Sequence, residues 1–376
     1  MHFIINNKYI KKIKNFLSVQ YESLNLKIDN VHIKCSSNEL ILIIRNENYF
    51  FRLEIKKDED LKIKKTGSLS LNIKLLNSLL EKLKPGSNLE IFKSEDNNIQ
   101  FFSGDFECNL IFSEEKISSF EKIDLEEKDK INISYSILKI TYSKLKNFCK
   151  SQDSSQNTLL KYIHLRKLGN SEILEVWSSD NYRTVFGKFK FKCNKNFEIN
   201  ISPSIINTLL FLFFEYSEED LEIWINDDNF FCKKDGLIMK VKIERGNFPE
   251  LSHWFNTNNN KEFLVSKLDL LSAIERNLLL SNKVIQTTFY RLENEKLWIE
   301  YKDSEKGFCK EFIKIKKFTD GDINFSLNNN LLKPLIKNID SENIIFSISD
   351  PFKPVILLSP NENETFKQFI LPIRNV

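Results

Sequence analysis

The feature that most constrains this sequence is an internal repeat. In six places a short strand-like stretch leads into a stretch with apolar residues at helical spacing, beginning at His2, Leu69, Ile133, Phe197, Glu262 and Ile323. The six helices are predicted to begin near residues 7, 72, 143, 203, 265 and 327, at intervals of 65, 71, 60, 62 and 62 residues. This nearly constant period favours six copies of one structural module.

Local signals support individual helices. Ser202 followed by Pro203 is typical of an N-cap and the first residue of a helix. The second helix is predicted to bury one apolar stripe, formed by Leu75, Leu76, Leu79, Leu80 and Leu83. The fifth is predicted to bury a stripe formed by Leu268, Leu271, Ile274 and Leu278.

Between the helices the apolar pattern changes to a period of two. Residues 87–111 and 221–243 each predict three strands with polar turns, and residues 343–358 predict two. One helix with about three or four strands per module indicates an α+β fold. A single module buries little surface, so two should pair in each domain. We therefore predict three similar domains, 1–128, 129–257 and 258–376, with polar runs at the boundaries.

Charge and cysteine usage exclude several classes of protein. The 55 basic and 52 acidic residues give a net charge of +3, so DNA could be bound only if the charges were segregated on the surface. The six cysteines include no CxxC pair, which argues against a disulfide framework or a zinc site. The chain has no signal-peptide pattern, and its most apolar run, 205–214, is too short to span a bilayer. A cytoplasmic protein without a membrane anchor is expected.

Catalytic patterns are also missing from the sequence. The histidines His2, His32, His164 and His253 are scattered, and no GxSxG, Walker or HExxH motif occurs. Acidic pairs such as Asp227-Asp228 fall in predicted turns, where they are usually solvated. We predict no catalytic residues, no metal, no cofactor and no enzymatic activity.

Several segments, in order, resemble the β subunit of bacterial DNA polymerase III, the sliding clamp, over essentially the whole chain. They are LKPGSNLEIF from Leu83 with FFSGDFECNL from Phe101, SSDNYRTVFGK from Ser178, GNFPEL from Gly246, LLLSNK from Leu278, DPFKPVIL from Asp350 and FILPIRNV from Phe369. The resemblance implies the DNA clamp fold. In that family two chains close head to tail into a ring, with helices lining the hole and sheets outside.

A ring holds duplex DNA topologically, so the resemblance implies weak phosphate contacts without sequence specificity. The implied DNA-facing cations are Lys8, Lys11, Lys12, Lys14, Lys74, Lys82, Lys144, Lys146, Lys150, Lys267, Arg276, Lys333 and Lys337. The fourth helix carries none. An alternative for each lysine is that it only solvates a helix face.

The resemblance also implies a groove that binds short apolar peptides of partner proteins. The partners would be the replicative polymerase α subunit, the clamp loader and other proteins with clamp-binding motifs. The implied groove residues are Tyr162, Ser179, Asn181, Tyr182, Arg183, Thr184, Pro249, His253, Trp254, Pro354, Leu371, Pro372, Ile373, Arg374 and Val376. Asn181-Tyr182 replaces the usual Gly-His, Thr184 replaces a leucine, and Asn375 is an extra residue.

The implied ring contact places Cys108 and Leu110 of one copy against Leu279 and Leu280 of the other. Because the two patches differ, the contact is heterologous, and two copies form a closed homodimer. Two alternatives stay open: a divergent clamp paralogue with altered partners, and a repeat scaffold that does not bind DNA. A monomeric protein would favour the scaffold.

Overall fold

All six predicted strand–helix modules are present in the computed structural model, which describes residues 1–19, 28–94, 98–112, 123, 125–150, 158–226, 228–255, 261–280, 286–318, 321–361 and 365–374. The helices of the repeat are α1 Asn7–Leu17, α2 Ile73–Glu81, α3 Tyr135–Leu145, α4 Pro203–Leu212, α5 Lys267–Leu279 and α6 Asn329–Asn338. Each of them directly follows a strand.

The strands, in chain order, are β1 His2–Ile5, β2 Asn30–Cys35, β3 Glu39–Arg45, β4 Tyr49–Lys56, β5 Leu61–Lys65, β6 Gly67–Asn72, β7 Leu89–Lys93, β8 Asn98–Ser103, β9 Phe106–Ile111, β10 Ile131–Ser134, β11 Ile163–Lys167, β12 Ile173–Ser179, β13 Arg183–Lys190, β14 Phe197–Ile201, β15 Asp220–Ile225, β16 Asn229–Lys234, β17 Leu237–Lys242, β18 Lys261–Ser266, β19 Thr287–Glu293, β20 Lys296–Asp303, β21 Gly307–Phe318, β22 Ile323–Asn328, β23 Asn343–Ile348, β24 Val355–Leu358 and β25 Phe366–Ile370. The strands predicted in residues 87–111, 221–243 and 343–358 are thereby confirmed.

Short polar side chains begin most of the helices. The N-cap residues Asn6, Asn72, Ser202, Ser266 and Asn328 each accept a hydrogen bond from a backbone N–H of the first turn. Such a cap satisfies a donor that the helix itself leaves unpaired, and it typically contributes ~1 kcal/mol. The recurring strand-to-helix junction thus has a physical cause in the sequence.

The third helix begins earlier than predicted. It starts at Tyr135 rather than near residue 143, because Ser134 ends the strand and its hydroxyl accepts a hydrogen bond from the Ser136 N–H at 3.2 Å. The segment from Ile133 was predicted to stay a strand up to a helix near residue 143, so this cap was missed. The observed helix starts, at residues 7, 73, 135, 203, 267 and 329, are 66, 62, 68, 64 and 62 residues apart, so the second interval is 62 residues and not the predicted 71.

Two predicted apolar stripes are partly wrong. In α2 the buried side chains include Leu76 and Leu80, whereas Leu75 is 58% exposed. In α5 the buried face is formed by Leu270, Ala273, Ile274 and Asn277, while Leu268 is 73% exposed. The Nδ2 of this buried asparagine donates to the Ala273 carbonyl at 3.0 Å, and its backbone carbonyl accepts from the Gln286 Nε2 at 3.1 Å.

The described chain divides into two compact units. The first comprises residues 1–139 and 202–245, and the second comprises residues 140–201 and 246–376. The first unit contains a five-stranded sheet in the order β5-β1-β7-β8-β9 and an eight-stranded sheet in the order β10-β15-β16-β17-β4-β3-β2-β6. The second contains a twelve-stranded sheet in the order β14-β11-β12-β13-β25-β24-β23-β18-β21-β20-β19-β22.

The sheets continue across the predicted domain boundaries. Strand β17 pairs with β4 in the first unit, and β13 pairs with β25 in the second. The predicted middle domain therefore contributes strands to both units, which explains why the units do not coincide with three domains. The division into domains 1–128, 129–257 and 258–376 stays a prediction.

Candidate partner-binding site

Two of the predicted groove segments are adjacent strands of the second unit. Arg183 pairs with Ile370 and Thr184 with Phe369 across β13 and β25. Beyond the last pair, the Leu371 N–H donates to the Tyr182 carbonyl at 2.8 Å. The end of the chain is thus held beside the turn that precedes β13.

That turn is built around the Asp180 carboxylate. Its Oδ1 accepts the backbone N–H groups of Tyr182 at 3.0 Å and Arg183 at 2.8 Å. Asn181 has a φ of 77°, a left-handed conformation that asparagine tolerates better than most residues, so it can stand where the family has glycine. Tyr182 follows with 59% of its surface exposed, so its ring is available at the surface of the groove.

Arg183 is buried and fixes the turn. Its Nη2 lies 2.7 Å from Oδ2 of Asp180, its Nη1 donates to the Leu331 carbonyl at 3.1 Å, and its guanidinium lies 5.1 Å from the centre of the Phe148 ring. Only 8% of the residue is exposed. Its charge is satisfied within the protein, so it supports the groove instead of projecting into it.

Ser179 and Thr184 stabilise the same turn through buried hydroxyl groups. The Ser179 hydroxyl donates to the Arg183 carbonyl at 2.9 Å and accepts from the Thr184 hydroxyl at 3.0 Å. Thr184, which replaces a leucine of the family, is fully buried. Its hydroxyl therefore has a partner inside the protein, and the substitution adds a polar link beneath the groove.

Aromatic side chains form the neighbouring wall. In the segment of Pro249, His253 and Trp254, the Trp254 ring lies 6.4 Å from that of Phe369 and 4.8 Å from that of His253. Phe255 lies 5.2 Å from Phe369 on the same side. Pro249 is half-buried and His253 is exposed. Trp254 and Tyr182 are thus both anchored to the final strand, through Phe369 and Leu371.

The remaining predicted groove residues lie mainly before β24 and after β25. Pro354 is buried directly before β24, where Val355 pairs with Ile370. The Ile373 N–H donates to the Ser326 carbonyl at 2.8 Å, which holds the end of the chain against β22. Leu371, Pro372 and Ile373 are half-buried, and Arg374 is exposed. Val376 lies outside the described residues, and Tyr162 is half-buried immediately before β11.

Sequence reasoning missed several residues that support the groove. Asp180 organises the turn, Phe148 lies beneath Arg183, and Phe369 joins the two walls. Asp180 stands inside the SSDNYRTVFGK segment, so that segment carried the signal. Phe369 begins the FILPIRNV segment and reaches the turn through its pairing with Thr184, whereas Phe148 lies in a 3-10 turn after α3 and is brought there only by the tertiary fold.

The predicted DNA-facing cations differ in their surroundings. Lys8, Lys11, Lys74, Lys82, Lys146 and Lys337 are exposed, whereas Lys12, Lys14 and Lys150 are half-buried. Several cations of the set are engaged by groups of the chain: Lys8 with Asp60 at 3.9 Å, Lys144 with Asp340 at 2.7 Å, Lys333 with Glu275 at 2.9 Å, Arg276 with Glu311, Lys12 with the Asp235 carbonyl, and Lys267 with the Ile339 carbonyl. A cation that is held in this way has less of its positive charge available to a ligand.

The predicted ring-contact residues lie at strand edges or on the surface. In the described ladders β9 pairs only with β8, and residues 307–314 of β21 pair only with β20. Cys108 and Leu110 on β9 are half-buried, Leu280 is half-buried, and Leu279 is 79% exposed. Among the described residues, β9 and the first half of β21 therefore each have an edge without a partner strand.

Neither a metal-binding cluster nor a membrane-spanning helix occurs among the described residues. Among them no group of three or more His, Cys, Asp or Glu side chains could hold a metal ion. No helix in the same ranges is long and apolar enough to cross a membrane.

Acidification should destabilise the protein through His164. The ring is 2% exposed, stacks on Phe248 at 4.7 Å, and Nδ1 lies 3.0 Å from Oδ1 of Asn200. Burial lowers the pKa of His164, so below pH ~6.5 the unfolded chain binds the proton more readily and stability falls. One such site contributes at most ~1.4 kcal/mol per pH unit.

Denaturant unfolding between pH 8 and 5 measures this effect. We expect His164→Gln, which does not titrate but can still hydrogen-bond to Asn200, to flatten the loss of stability at low pH. The exposed His253→Gln is the matched control and should keep the original slope. An unchanged slope in His164→Gln would assign the acid sensitivity to other groups.

Comparison with known proteins bears on this arrangement. Residues 253–374 match the family model described as the C-terminal domain of the DNA polymerase III beta subunit. Beta sliding clamps of Staphylococcus epidermidis and Streptococcus pneumoniae are 23% and 22% identical, in alignments covering 100% of this chain and 99% of each relative. A crystal structure of the DNA polymerase III beta chain of Streptococcus pneumoniae is similar with a TM-score of 0.86 and 20% identity, and one of the Bacillus subtilis sliding clamp with 0.84 and 19%.

Both structural matches cover 100% of each chain. Likeness over that length confirms the predicted α+β DNA clamp fold. The sequence resemblance is confirmed as well, since the relatives and the family model carry the same description.

Proposed function

We propose that this chain is a member of the DNA polymerase III beta subunit (sliding clamp) family and a processivity factor that encircles duplex DNA as a ring of two copies. The observation that carries the proposal is the full-length likeness to sliding clamps in both sequence and fold. The six capped strand–helix modules agree with it, because a clamp needs repeated modules to surround a duplex.

We take the ring to be made of three domains per copy, 1–128, 129–257 and 258–376. Helix pairing within these ranges supports the division. Helix α1 contacts α2, and α5 contacts α6. The Tyr135 hydroxyl at the start of α3 donates to the Leu210 carbonyl of α4 at 2.8 Å. Each proposed domain then contains one helix pair.

Ring closure is proposed to use the two unpaired strand edges. An exposed edge invites pairing with another chain, and pairing of β9 with the first half of β21 in a second copy removes both edges. Cys108 and Leu110 would then face Leu279 and Leu280 of the partner subunit. Since the two surfaces are different, the contact is heterologous, and two copies would close the ring as in the sliding clamps that this chain resembles.

The DNA contacts are proposed to be weak and numerous. The exposed lysines Lys11 of α1, Lys74 of α2 and Lys82 directly after α2 can attract phosphates without reading bases, as can Lys8, which also lies 3.9 Å from Asp60. Lys144, Lys267, Lys333 and Arg276 are expected to contribute less, because carboxylates or carbonyls of the chain already hold them. The remaining cations of the set, Lys12, Lys14, Lys146, Lys150 and Lys337, complete the proposed surface.

Partner proteins are proposed to insert a short apolar peptide between Tyr182, Trp254 and the Leu371–Ile373 segment. The duplex, the replicative polymerase α subunit, the clamp loader and other clamp-binding proteins are the partners that this function requires. The function involves no bond making or breaking, so we propose a protein without catalytic activity that acts in the cytoplasm.

The mass in solution tests the ring directly. Sedimentation equilibrium should give twice the 44.4 kDa of one chain at micromolar concentration. A protein that stays at 44.4 kDa over this range would favour the scaffold alternative.

A further inference from the structure

We propose that the outward face of β19, β20 and β21 is a second docking surface for a partner protein, and that it takes an acidic segment carrying one aromatic side chain. We call this the outer aromatic face. The inference rests on the proposed function in one respect: the segment would belong to a partner that is also held in the groove. No part of the predicted groove lies on these three strands.

Strand register aligns the aromatic rings of this face. Phe289 is opposite Glu300, and Arg291 is opposite Trp298. Trp298 is in turn opposite Phe312, with ring centres 5.0 Å apart. Directly opposed residues share one face of a sheet, so these side chains form a continuous surface. Phe289, Phe308 and Phe312 are 46%, 74% and 41% exposed, an unusual concentration of exposed aromatic surface.

The same face concentrates positive charge. Its cations are Arg291, Lys296, Lys302, Lys310 and Lys314, and its carboxylates are Glu293 and Glu300. Five cations minus two carboxylates leave +3 on this face, as much as the net charge of the whole chain. This local excess attracts an acidic segment.

The rings also hold the cations in place. The Lys310 ammonium lies 5.2 Å and the Arg291 guanidinium 5.8 Å from the centre of the Trp298 ring, and the Lys296 ammonium lies 4.6 Å from that of Phe312. Such contacts stabilise the cations over the ring faces. Because cations occupy the face of Trp298, a nucleic-acid base cannot stack on it, which favours a peptide over single-stranded DNA.

A cavity next to the face supplies the apolar anchor site. Its volume is about 430 Å³, and its lining is mixed, with Phe289, Phe352 and Ile373 among the apolar residues and Arg291, Glu300 and Asn324 among the polar ones. This volume is large enough for a phenylalanine side chain, whose ring can contact the aromatic residues of the lining. Ile373 belongs to the predicted groove as well, so a peptide leaving the groove reaches this cavity without crossing a gap.

Fluorescence anisotropy with the full-length protein tests the proposal. The probe is a fluorescein-labelled hexapeptide of sequence DEDFDE at low ionic strength. We expect saturable binding that weakens about tenfold in the double variant Phe289→Ala, Lys296→Glu, and by a similar factor when the phenylalanine of the probe is replaced by alanine. Lys296 lies on β20, outside the proposed ring contact. Binding should also weaken steeply with added salt.

Lys190→Glu is the matched control, because Lys190 is an exposed strand lysine of the same unit away from this face. Equal weakening in this control, no binding of the probe, or tighter binding of a labelled oligothymidine would each overturn the proposal. Retention on circular DNA should stay intact in the double variant. A failure of the clamp function would instead abolish retention in the unsubstituted protein while leaving the anisotropy result unaffected.

Discussion

A chain in which Leu279 is replaced by aspartate should sediment at 44.4 kDa under conditions where the unsubstituted protein is a dimer. Leu279 is 79% exposed in a single chain, so the substitution removes no packing from the fold. In the ring it would place a carboxylate in an apolar contact, where an unpaired charge costs several kcal/mol. A cost of ~2.8 kcal/mol corresponds to a 100-fold loss of affinity. The dissociation constant of the dimer should therefore rise at least ~100-fold.

Leu268→Asp is the control for this variant. Leu268 belongs to the same helix and is 73% exposed, yet it lies outside the proposed ring contact. It should leave the mass and the melting temperature unchanged. If both variants dimerise normally, or both dissociate, the assignment of Leu279 to the contact is wrong.

Replacement of Arg183 by alanine should cost about 3 kcal/mol of unfolding free energy and abolish peptide binding in the groove. The substitution leaves the Asp180 carboxylate, whose side chain is only 13% exposed, without its cation. Removing one partner of a buried pair typically costs ~3–5 kcal/mol. It also frees the Leu331 carbonyl, and the turn carrying Tyr182 loses its anchor.

A double-mutant cycle separates the ion pair from general damage. We expect Asp180→Ala combined with Arg183→Ala to cost clearly less than the sum of the single variants, since the double variant buries no unpaired charge. Arg374→Ala is the matched surface control, because Arg374 is exposed beside the groove, and it should leave stability unchanged. Additive single effects would show that Asp180 and Arg183 are not coupled.

The repeat was enough to predict the fold class and most of the elements. The strands of residues 221–243 and the helix after Ser202 follow from alternation and capping chemistry, which are local properties. Local patterns failed where a polar residue is buried. In α5 the core includes Asn277, whose Nδ2 donates to the Ala273 carbonyl, and a pattern of apolar residues alone could not identify that face.

The groove was less predictable from the residues themselves. Its segments are distant in sequence and meet only through the pairing of β13 with β25, so the family resemblance was needed to collect them. The resemblance did not show that Arg183 is buried against Asp180. The resemblance also did not show that Lys144 is held by Asp340. Both ion pairs, Arg183 with Asp180 and Lys144 with Asp340, form only in the folded chain.

The central claim is that this protein holds DNA by enclosing it. The most direct measurement loads the purified protein, with its clamp loader, onto nicked circular DNA and then cuts the circle with a restriction enzyme. The protein should co-elute with the intact circle at high salt and be lost from the linear product. Equal retention on both forms, or none on the circle, would contradict this claim.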